Sequence, residues 1–318
     1  MSVFTDEHGN PFLPLGLQVS NSSTGDPEMM DREMAALKLF RGNVLEAPVY
    51  WFRCEAEEGV FDFSDLDDLV RRCREAGVYL IPLWFGFNKN GHPNYVPEWV
   101  KLHPEIYRPA KGPDGADVAS LSPLCEATRE ADCRAFTAFM EHVAGLNRER
   151  RTIIAVQVEN EIGLANTDMD YGAPELYRQP VPAVLDGIVP EDAGVEPSGN
   201  TWKSRFGRHA HEVFSAWASA VYVERLAAAG KAVCPLPMLS TLCSGRTGLK
   251  RPESATTAAR PWEECWTSIR PRRLPWTCFA RICTSLRGNR TAAFWAGTPG
   301  RTTICSSRNP PRRGLPTP

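Results

Sequence analysis

Residues 153–163 read Ile-Ile-Ala-Val-Gln-Val-Glu-Asn-Glu-Ile-Gly, and this stretch indicates both a fold and a site. Its Ile and Val residues predict a strand buried on both faces, because parallel strands covered by helices are apolar throughout. The strand ends abruptly in Glu159, Asn160 and Glu161, at the end where α/β barrels place their active sites. Because side chains alternate along a strand, Glu159 and Glu161 should point to one side and Asn160 to the other, unless the strand end bulges.

On both sides of this stretch, short apolar runs alternate with helical patterns. Strands are predicted at 12–19, 43–49, 78–85 and 152–158 and from Val233 onward, and helices at 27–40, 64–76, 126–146 and 209–229. Five successive βα units indicate an α/β protein, and the predicted fold is an incomplete (β/α)8 TIM barrel with an irregular C-terminal tail. Long loops follow the third and fourth strands at their carboxyl ends, where a barrel carries its functional residues.

The composition changes near Met238. Residues 1–238 contain 35 acidic and 22 basic side chains, whereas residues 239–318 contain 3 acidic and 14 basic side chains. The second segment also has nine Pro and no Val, Tyr, Asp, Met, His or Gln, which is unusual for a globular domain of eighty residues. We therefore predict two regions: the N-terminal part of a barrel at 1–238 and a basic tail of low order at 239–318.

The cysteines and the termini favour a cytoplasmic protein. Five cysteines precede the break, at positions 54, 73, 125, 133 and 234, in apolar or helical contexts and without metal-ligand spacing. Buried free thiols are the expected state, ahead of disulfides. The first residues show no basic segment followed by an apolar core, so no secretory signal is predicted. No apolar stretch approaches the length of a membrane span, and no membrane partner is expected.

The polar end of the strand at 153–163 suits the hydrolysis of glycosidic bonds. That reaction needs a carboxylic acid that protonates the leaving oxygen and a second carboxylate that faces the anomeric carbon. An amide beside the acid can bind the sugar 2-OH. The alternative is that these charges begin a solvated loop; for Glu159 alone that alternative is favoured, whereas for Asn160 with Glu161 it is not.

The run from Gln157 to Glu161, followed by Ile-Gly, resembles the signature of glycoside hydrolase family 35, and several other segments agree in order and spacing. Those segments are 16–23, 47–51, 57–63, 83–86 and 89–91, which together resemble a bacterial branch of the family. The resemblance covers roughly residues 10–238. It implies a retaining hydrolase of terminal β-galactosides or related β-linked sugars, in which Glu161 is the general acid/base and Asn160 contacts the 2-OH. It implies a carbohydrate substrate and neither a metal nor an organic cofactor.

Further substrate contacts are predicted from aromatic and polar residues near the strand ends. Sugars stack on aromatic faces, so Trp51, Trp84 and Trp99 are candidates for a subsite floor. Core or rim packing is an equal alternative for Trp51 and Trp99, while the position of Trp84 at a strand end favours function. Lys89 and Asn90, in the loop after the third strand, complete the predicted substrate-binding set. No pair of His residues has metal-ligand spacing, and no metal site is predicted.

The tail is predicted to be translated out of frame. When the third base of each codon is read with the first two of the next, the segment 276–284 permits Asp-Leu-Phe-Cys-Pro-Asp-Leu-Tyr, which resembles the family's sixth strand. The segment 304–310 permits Leu-Phe-(Ile/Val)-Pro-Glu, with the nucleophilic Glu encoded across the codons of Arg308 and Asn309. On this hypothesis the polypeptide lacks its nucleophile and has little or no activity.

Alternatives for the tail and for the whole chain remain. An Arg-rich arm for nucleic acid is disfavoured because the arginines lack helical periodicity and the remainder of the chain is acidic. A zinc site at Cys265, Cys278, Cys283 and Cys305 is disfavoured because paired short spacings are missing. The alternative to an enzyme is a carbohydrate-binding remnant that holds sugar without cleaving it. The sequence leaves the oligomeric state open.

Overall fold

Five parallel strands form the central sheet of the computed structural model. The structure describes Phe4, Asp6 and residues 8–185 and 199–242, together with two short strands at 281–282 and 293–294. The central sheet has the order β1-β2-β3-β6-β7, and every neighbouring pair in it is parallel. The strands are β1 (Gly16–Gln18), β2 (Val44–Tyr50), β3 (Tyr79–Phe85), β4 (Pro109–Lys111), β5 (Asp117–Leu121), β6 (Val156–Ile162), β7 (Met238–Leu242), β8 (Arg281–Ile282) and β9 (Ala293–Phe294).

Helices connect these strands. They are α1 (Pro27–Leu39), α2 (Trp51–Cys54), α3 (Ser64–Ala76), α4 (Glu98–Lys101), α5 (Glu126–Glu149), α6 (Pro174–Arg178), α7 (Trp202–Phe206) and α8 (Ala210–Val233). Helix α1 begins where Asp26 accepts a hydrogen bond from Met29 N, and α3 ends at Gly77 with φ of 67°. Asp is a preferred residue before the first turn of a helix and Gly after the last, so both boundaries follow the usual capping preferences.

The helices pack on one face of the curved central sheet. Leu45, Ala47 and Val49 of β2 belong to a large core that also contains the apolar sides of α1, α3, α5 and α8. The alternate residues of β2 and β3, among them Tyr50, Leu83 and Phe85, point to the opposite face, which we call the inner face. A sheet curved around its inner face with helices outside is part of a (β/α)8 barrel, and the predicted fold is confirmed for the described residues.

The five predicted parallel strands and the helices between them are found. The fourth lies four residues farther along than predicted, at Val156–Ile162, so Glu159, Asn160 and Glu161 belong to the strand itself. The prediction that the fifth begins at Val233 is wrong, because Val233 is the last residue of α8; the strand begins at Met238 and continues to Leu242, past the predicted boundary. The loop after β3 contains the antiparallel pair β4–β5 and the short helix α4. The codons of Arg308 and Asn309 and the four cysteines considered for zinc lie outside the described residues.

The sequence also predicts free cysteines and no membrane-spanning segment. The five cysteines of the described part are free and buried, as expected. In the ranges that the structure covers, none of the helices has both the length and the apolar character needed to cross a bilayer.

Asn147 fixes the connection between α5 and β6. Its Oδ1 accepts hydrogen bonds from Thr152 N (3.1 Å) and Ile153 N (3.0 Å), and its Nδ2 donates to Ile153 O (2.8 Å). We expect Asn147→Ala to destabilise the fold by about 2 kcal/mol, because three partly buried backbone groups lose their partner. Urea unfolding would measure this, with Asn94→Ala on the surface as the control; equal stability of the two variants would contradict the role.

Candidate active site

The end of β6 is irregular, and the irregularity decides where its polar side chains point. The register between β6 and β7 shifts between Gln157 and Asn160 and again between Asn160 and Ile162. Glu159 and Glu161 have φ of 59° and 51°, in the left-handed region that residues other than glycine rarely adopt. Such conformations cost about 1–3 kcal/mol each and cluster at functional sites. The strand end therefore bulges, and simple alternation does not hold there.

Glu159 points away from the inner face. Its carboxyl is buried against Gly86, Phe87 and Asp132 of α5, and both of its oxygens accept from Phe87 N, at 3.0 and 3.2 Å. Burial, and then the negative charge of Asp132, raise the pKa of Glu159 well above its usual range. Glu159 is therefore a buried structural carboxyl and has no access to a ligand.

Asn160 lies on the inner face, and its amide has a fixed orientation. Its Oδ1 accepts from Gln157 Nε2 (2.7 Å) and from Thr241 Oγ1 (2.9 Å). The Thr241 hydroxyl also accepts from Glu161 N at 3.1 Å, which connects β6 to β7 at this level. Because Oδ1 is occupied by two donors, Nδ2 is the atom that Asn160 can offer to a ligand.

Glu161 is the carboxylate that reaches the mouth of the partial barrel. Its side chain is 18% exposed, and its Oε2 accepts from Lys89 Nζ at 2.8 Å. Lys89 itself is only 7% exposed and lies 5.5 Å from the centroid of the Phe85 ring. Within the described residues the second oxygen of Glu161 has no protein partner, so it is the oxygen available to a leaving group.

The loop after β3 holds Lys89 beside Glu161 through a tight turn. Asn90 and Gly91 have φ of 54° and 76°, and His92 N donates to Lys89 O at 3.0 Å. Asn90 N donates to Glu161 O at 3.1 Å, while its Oδ1 accepts from Lys89 Nζ at 3.1 Å. Two consecutive positive φ values favour the Asn-Gly pair found here. The structure thus brings together four of the seven candidate site residues: Glu161, Asn160, Lys89 and Asn90.

The three candidate tryptophans lie elsewhere. Trp84 and Trp51 have no exposed surface and belong to the core on the helix side of the sheet. The Trp84 indole N–H donates to Asp132 Oδ1 (2.8 Å), and that of Trp51 donates to Glu55 Oε2 (2.7 Å). Trp99 is partly buried and packs edge-to-face on Trp51. Because neither Trp51 nor Trp84 has a face open to a sugar, we do not carry them into the proposed site.

Other aromatic residues occupy the inner face and were missed from the sequence. Tyr50 and Phe85 end β2 and β3 there, and Tyr95 stacks on Tyr50 with ring centroids 5.2 Å apart. Phe52 stacks on Tyr50 at 5.7 Å and is 37% exposed, so it can offer a ring to a ligand. β3 is apolar throughout and β2 has Glu46 as its one charged residue, so neither strand has a regular polar alternation that would show which of two adjacent aromatic residues faces inward.

This arrangement can perform acid–base chemistry on a neutral polar ligand. It offers a carboxylate with one free oxygen, an oriented amide, a buried ammonium group and a partly exposed aromatic ring. In the part of the chain that the structure covers, no three His, Cys, Asp or Glu side chains are placed to hold a metal ion.

Comparisons with known proteins identify a family for the chain. Residues 21–179 match the glycoside hydrolase 42 family, described as beta-galactosidase. No curated protein matches the chain. Among solved structures, the β-galactosidase of Bacillus circulans sp. alkalophilus has a TM-score of 0.50 and 17% identity, over 72% of this chain and 36% of that one. The catalytic domain of the β-amylase of Paenibacillus polymyxa has a TM-score of 0.51 and 14% identity, over 71% of this chain and 65% of that one.

At these identities the structural likeness shows the fold alone, and the chain spans less than two thirds of the length of either relative. The matched residues contain β2, β3 and β6, with Lys89, Asn90, Asn160 and Glu161 among them. The motifs of the sequence resembled family 35, but the match is to family 42. The resemblance to family 35 is therefore not supported.

Proposed function

Since this chain belongs to the glycoside hydrolase 42 family, we propose that it derives from a retaining hydrolase of terminal β-galactosides with Glu161 as the general acid/base. The observation that carries the proposal is the position of Glu161. Its carboxylate ends the fourth barrel strand, is partly exposed and follows directly on the oriented amide of Asn160. The sugar specificity rests on the family's description as beta-galactosidase.

The proposal gives each group a task. The free oxygen of Glu161 donates a proton to the glycosidic oxygen and later removes one from the attacking water. Asn160 Nδ2 donates to the sugar 2-OH, a contact that strengthens as the anomeric carbon becomes positively charged. Lys89 holds the other oxygen of Glu161 and so fixes the rotamer of the acid. Phe52 offers a partly exposed ring to an apolar face of the sugar.

The second carboxylate of a retaining mechanism is assigned to the missing part of the barrel. We propose that residues 239–318 are translated out of frame, since the charge and composition change together near Met238. The contacts of Thr241 with Asn160 and Glu161 then belong to the encoded chain alone, and the proposed roles of those two residues do not depend on them. The nucleophile would then be encoded in the shifted frame across Arg308 and Asn309, and this polypeptide would not turn over substrate. Resequencing the gene around codon 238 tests the hypothesis, and an uninterrupted frame through codon 318 would refute it.

Hydrolysis assays test the function directly. We expect no turnover of p-nitrophenyl β-galactoside by the chain as encoded, and turnover after one nucleotide is inserted following codon 238 to restore the frame. A panel of p-nitrophenyl β-glucoside, β-mannoside and β-galactoside would identify the preferred sugar. Robust turnover by the encoded chain would contradict its inactivity. Sugar binding without turnover by the restored chain would instead support a binding protein.

A further inference from the structure

Two carboxyl groups meet in the core directly behind the candidate site. Glu159 of β6 and Asp132 of α5 are joined by a hydrogen bond, and both are almost wholly buried. Asp132 Oδ1 accepts from Trp84 Nε1 at 2.8 Å and its Oδ2 accepts from Tyr222 OH at 2.9 Å. Glu159 accepts from Phe87 N. The pair thus connects β6 with α5, α8 and the end of β3.

The contacts indicate which carboxyl of this pair holds the proton. Two ionised carboxylates in contact repel each other strongly in a buried setting, so one of them must be protonated. Asp132 accepts from the Trp84 indole N–H, which can only donate, and from the Tyr222 hydroxyl, and these two donors favour Asp132 as the anion and Glu159 as the donor. Burial raises the pKa of both carboxyls, and the charge of Asp132 further raises that of Glu159. The other ionisable groups that face the pair are Glu55 and Tyr222, with Cys125 beside Tyr222.

We propose that protonated Glu159, bound to Asp132, is a positioning residue that holds the end of β6 in the conformation that presents Asn160 and Glu161 to the inner face. Glu159 has a left-handed backbone and directly precedes Asn160, so anchoring its side chain on the helix side turns the next residue inward. Without the anchor, an ordinary extended backbone would relieve the left-handed φ and reverse the side-chain directions. The proposal rests on the proposed role of Glu161.

Local hydrogen exchange of the full chain tests the positioning role without any sugar. Glu159→Leu removes the anchor, whereas Glu159→Gln can still donate to Asp132 and accept from Phe87 N. We expect the amides of segments 86–92 and 157–163 to exchange about tenfold faster or more in Glu159→Leu, and at close to the wild-type rate in Glu159→Gln. The segment 64–76 of α3 is the internal reference, and Glu141→Gln on the exposed side of α5 is the control variant. Uniform acceleration of all three segments, or equal effects of Leu and Gln, would overturn the proposal.

The pH dependence of unfolding tests the proton itself. Because the folded pKa of Glu159 is raised, the folded state keeps a proton that the unfolded state loses above its ordinary pKa of about 4.3. Stability from this group is therefore full at low pH and declines as pH rises, by up to about tenfold in the unfolding constant per pH unit. Glu159→Gln should lack this decline, and Glu141→Gln should keep it. An unchanged pH dependence in Glu159→Gln would overturn the proposal even if Glu159→Leu fails to fold. Either failure would leave the assignment of Glu161 untouched, which only hydrolysis can test.

Discussion

Replacing Glu161 with glutamine is expected to lower the hydrolysis of a β-galactoside by about 10²- to 10⁴-fold in the frame-restored chain, the contribution typical of a general acid/base. Glutamine has the same shape and can still accept the hydrogen bond from Lys89 that glutamate accepts at 2.8 Å. It cannot deliver a proton to the glycosidic oxygen. The loss should therefore reflect proton transfer, with little change in how the sugar is bound.

The leaving group and the nucleophile make this prediction specific. A 2,4-dinitrophenyl β-galactoside needs little protonation to depart, so Glu161→Gln should slow its first step far less than that of an alkyl galactoside. Hydrolysis of the glycosyl-enzyme should then limit the rate, because no base activates water. Azide needs no base, and we expect it to restore turnover and to yield a β-galactosyl azide, the product of net retention.

The control is Glu141→Gln, which removes an exposed carboxylate from α5 and should leave kcat and KM unchanged. Comparable loss for the alkyl and dinitrophenyl substrates, without azide rescue, would show that Glu161 is not the acid/base. An α-configured azide product would contradict the retaining mechanism.

The sequence predicts the parallel sheet well because its signal is local. Each strand is a short apolar run and each intervening helix has its own periodicity and end signals, such as Asp26 before α1 and Gly77 after α3. Likewise, Glu161 and Asn160 could be proposed from the sequence, because glycosidic cleavage needs a carboxylic acid and an amide beside it can bind the sugar 2-OH. That requirement identifies the type of reaction but does not distinguish one glycosidase family from another. The same motif therefore resembled family 35, while the chain matches family 42.

The phase of the buried strands could not be predicted. In β2 the one charged residue, Glu46, shares the phase of Tyr50, but a single carboxyl does not show which face is the inner one. In β3 both faces are apolar, so the choice between Phe85 and Trp84 has no local signal. The partners of Trp84 decide it, because Asp132 of α5 accepts from its indole N–H on the helix side. As a charged residue, Asp132 would be expected on the surface. It lies four residues before Phe136, however, which places it on the apolar side of α5, and in the structure it is fully buried.

From the sequence, a bulge at the end of β6 was only one of two possibilities, the other being regular alternation. The residues that cause the bulge are distant in sequence, like the partners of Trp84. Glu159 turns toward α5 because Phe87 N and Asp132 supply its hydrogen bonds there. A strand examined by itself has no information about a helix that begins thirty residues earlier. Sequence reasoning therefore finds the residues at a strand end, while the direction of each side chain depends on tertiary partners.

Gly86→Ala is the stability variant with the largest expected effect. A Cβ at this position would lie 2.5 Å from Trp84 Nε1, 2.6 Å from Glu159 Oε1 and 2.7 Å from Asp132 Oδ1. None of these three side chains can move freely, because the Trp84 indole donates a hydrogen bond to Asp132 and the two carboxyl groups are hydrogen-bonded to each other. We expect destabilisation of about 3 kcal/mol, from overpacking and from broken buried hydrogen bonds, measured by urea unfolding.

Gly145→Ala is the matched control, with the opposite expected sign. Gly145 lies within α5, and a Cβ there would meet only Arg148 Nη2, at 3.7 Å. Alanine should therefore stabilise the helix by up to about 1 kcal/mol. If Gly86→Ala were as harmless as Gly145→Ala, the carboxyl pair could not be as closely packed as the structure has it. If the pair is the obstacle, combining Gly86→Ala with Glu159→Ala should cost less than the sum of the two, because the second change removes the oxygen that the new methyl group meets.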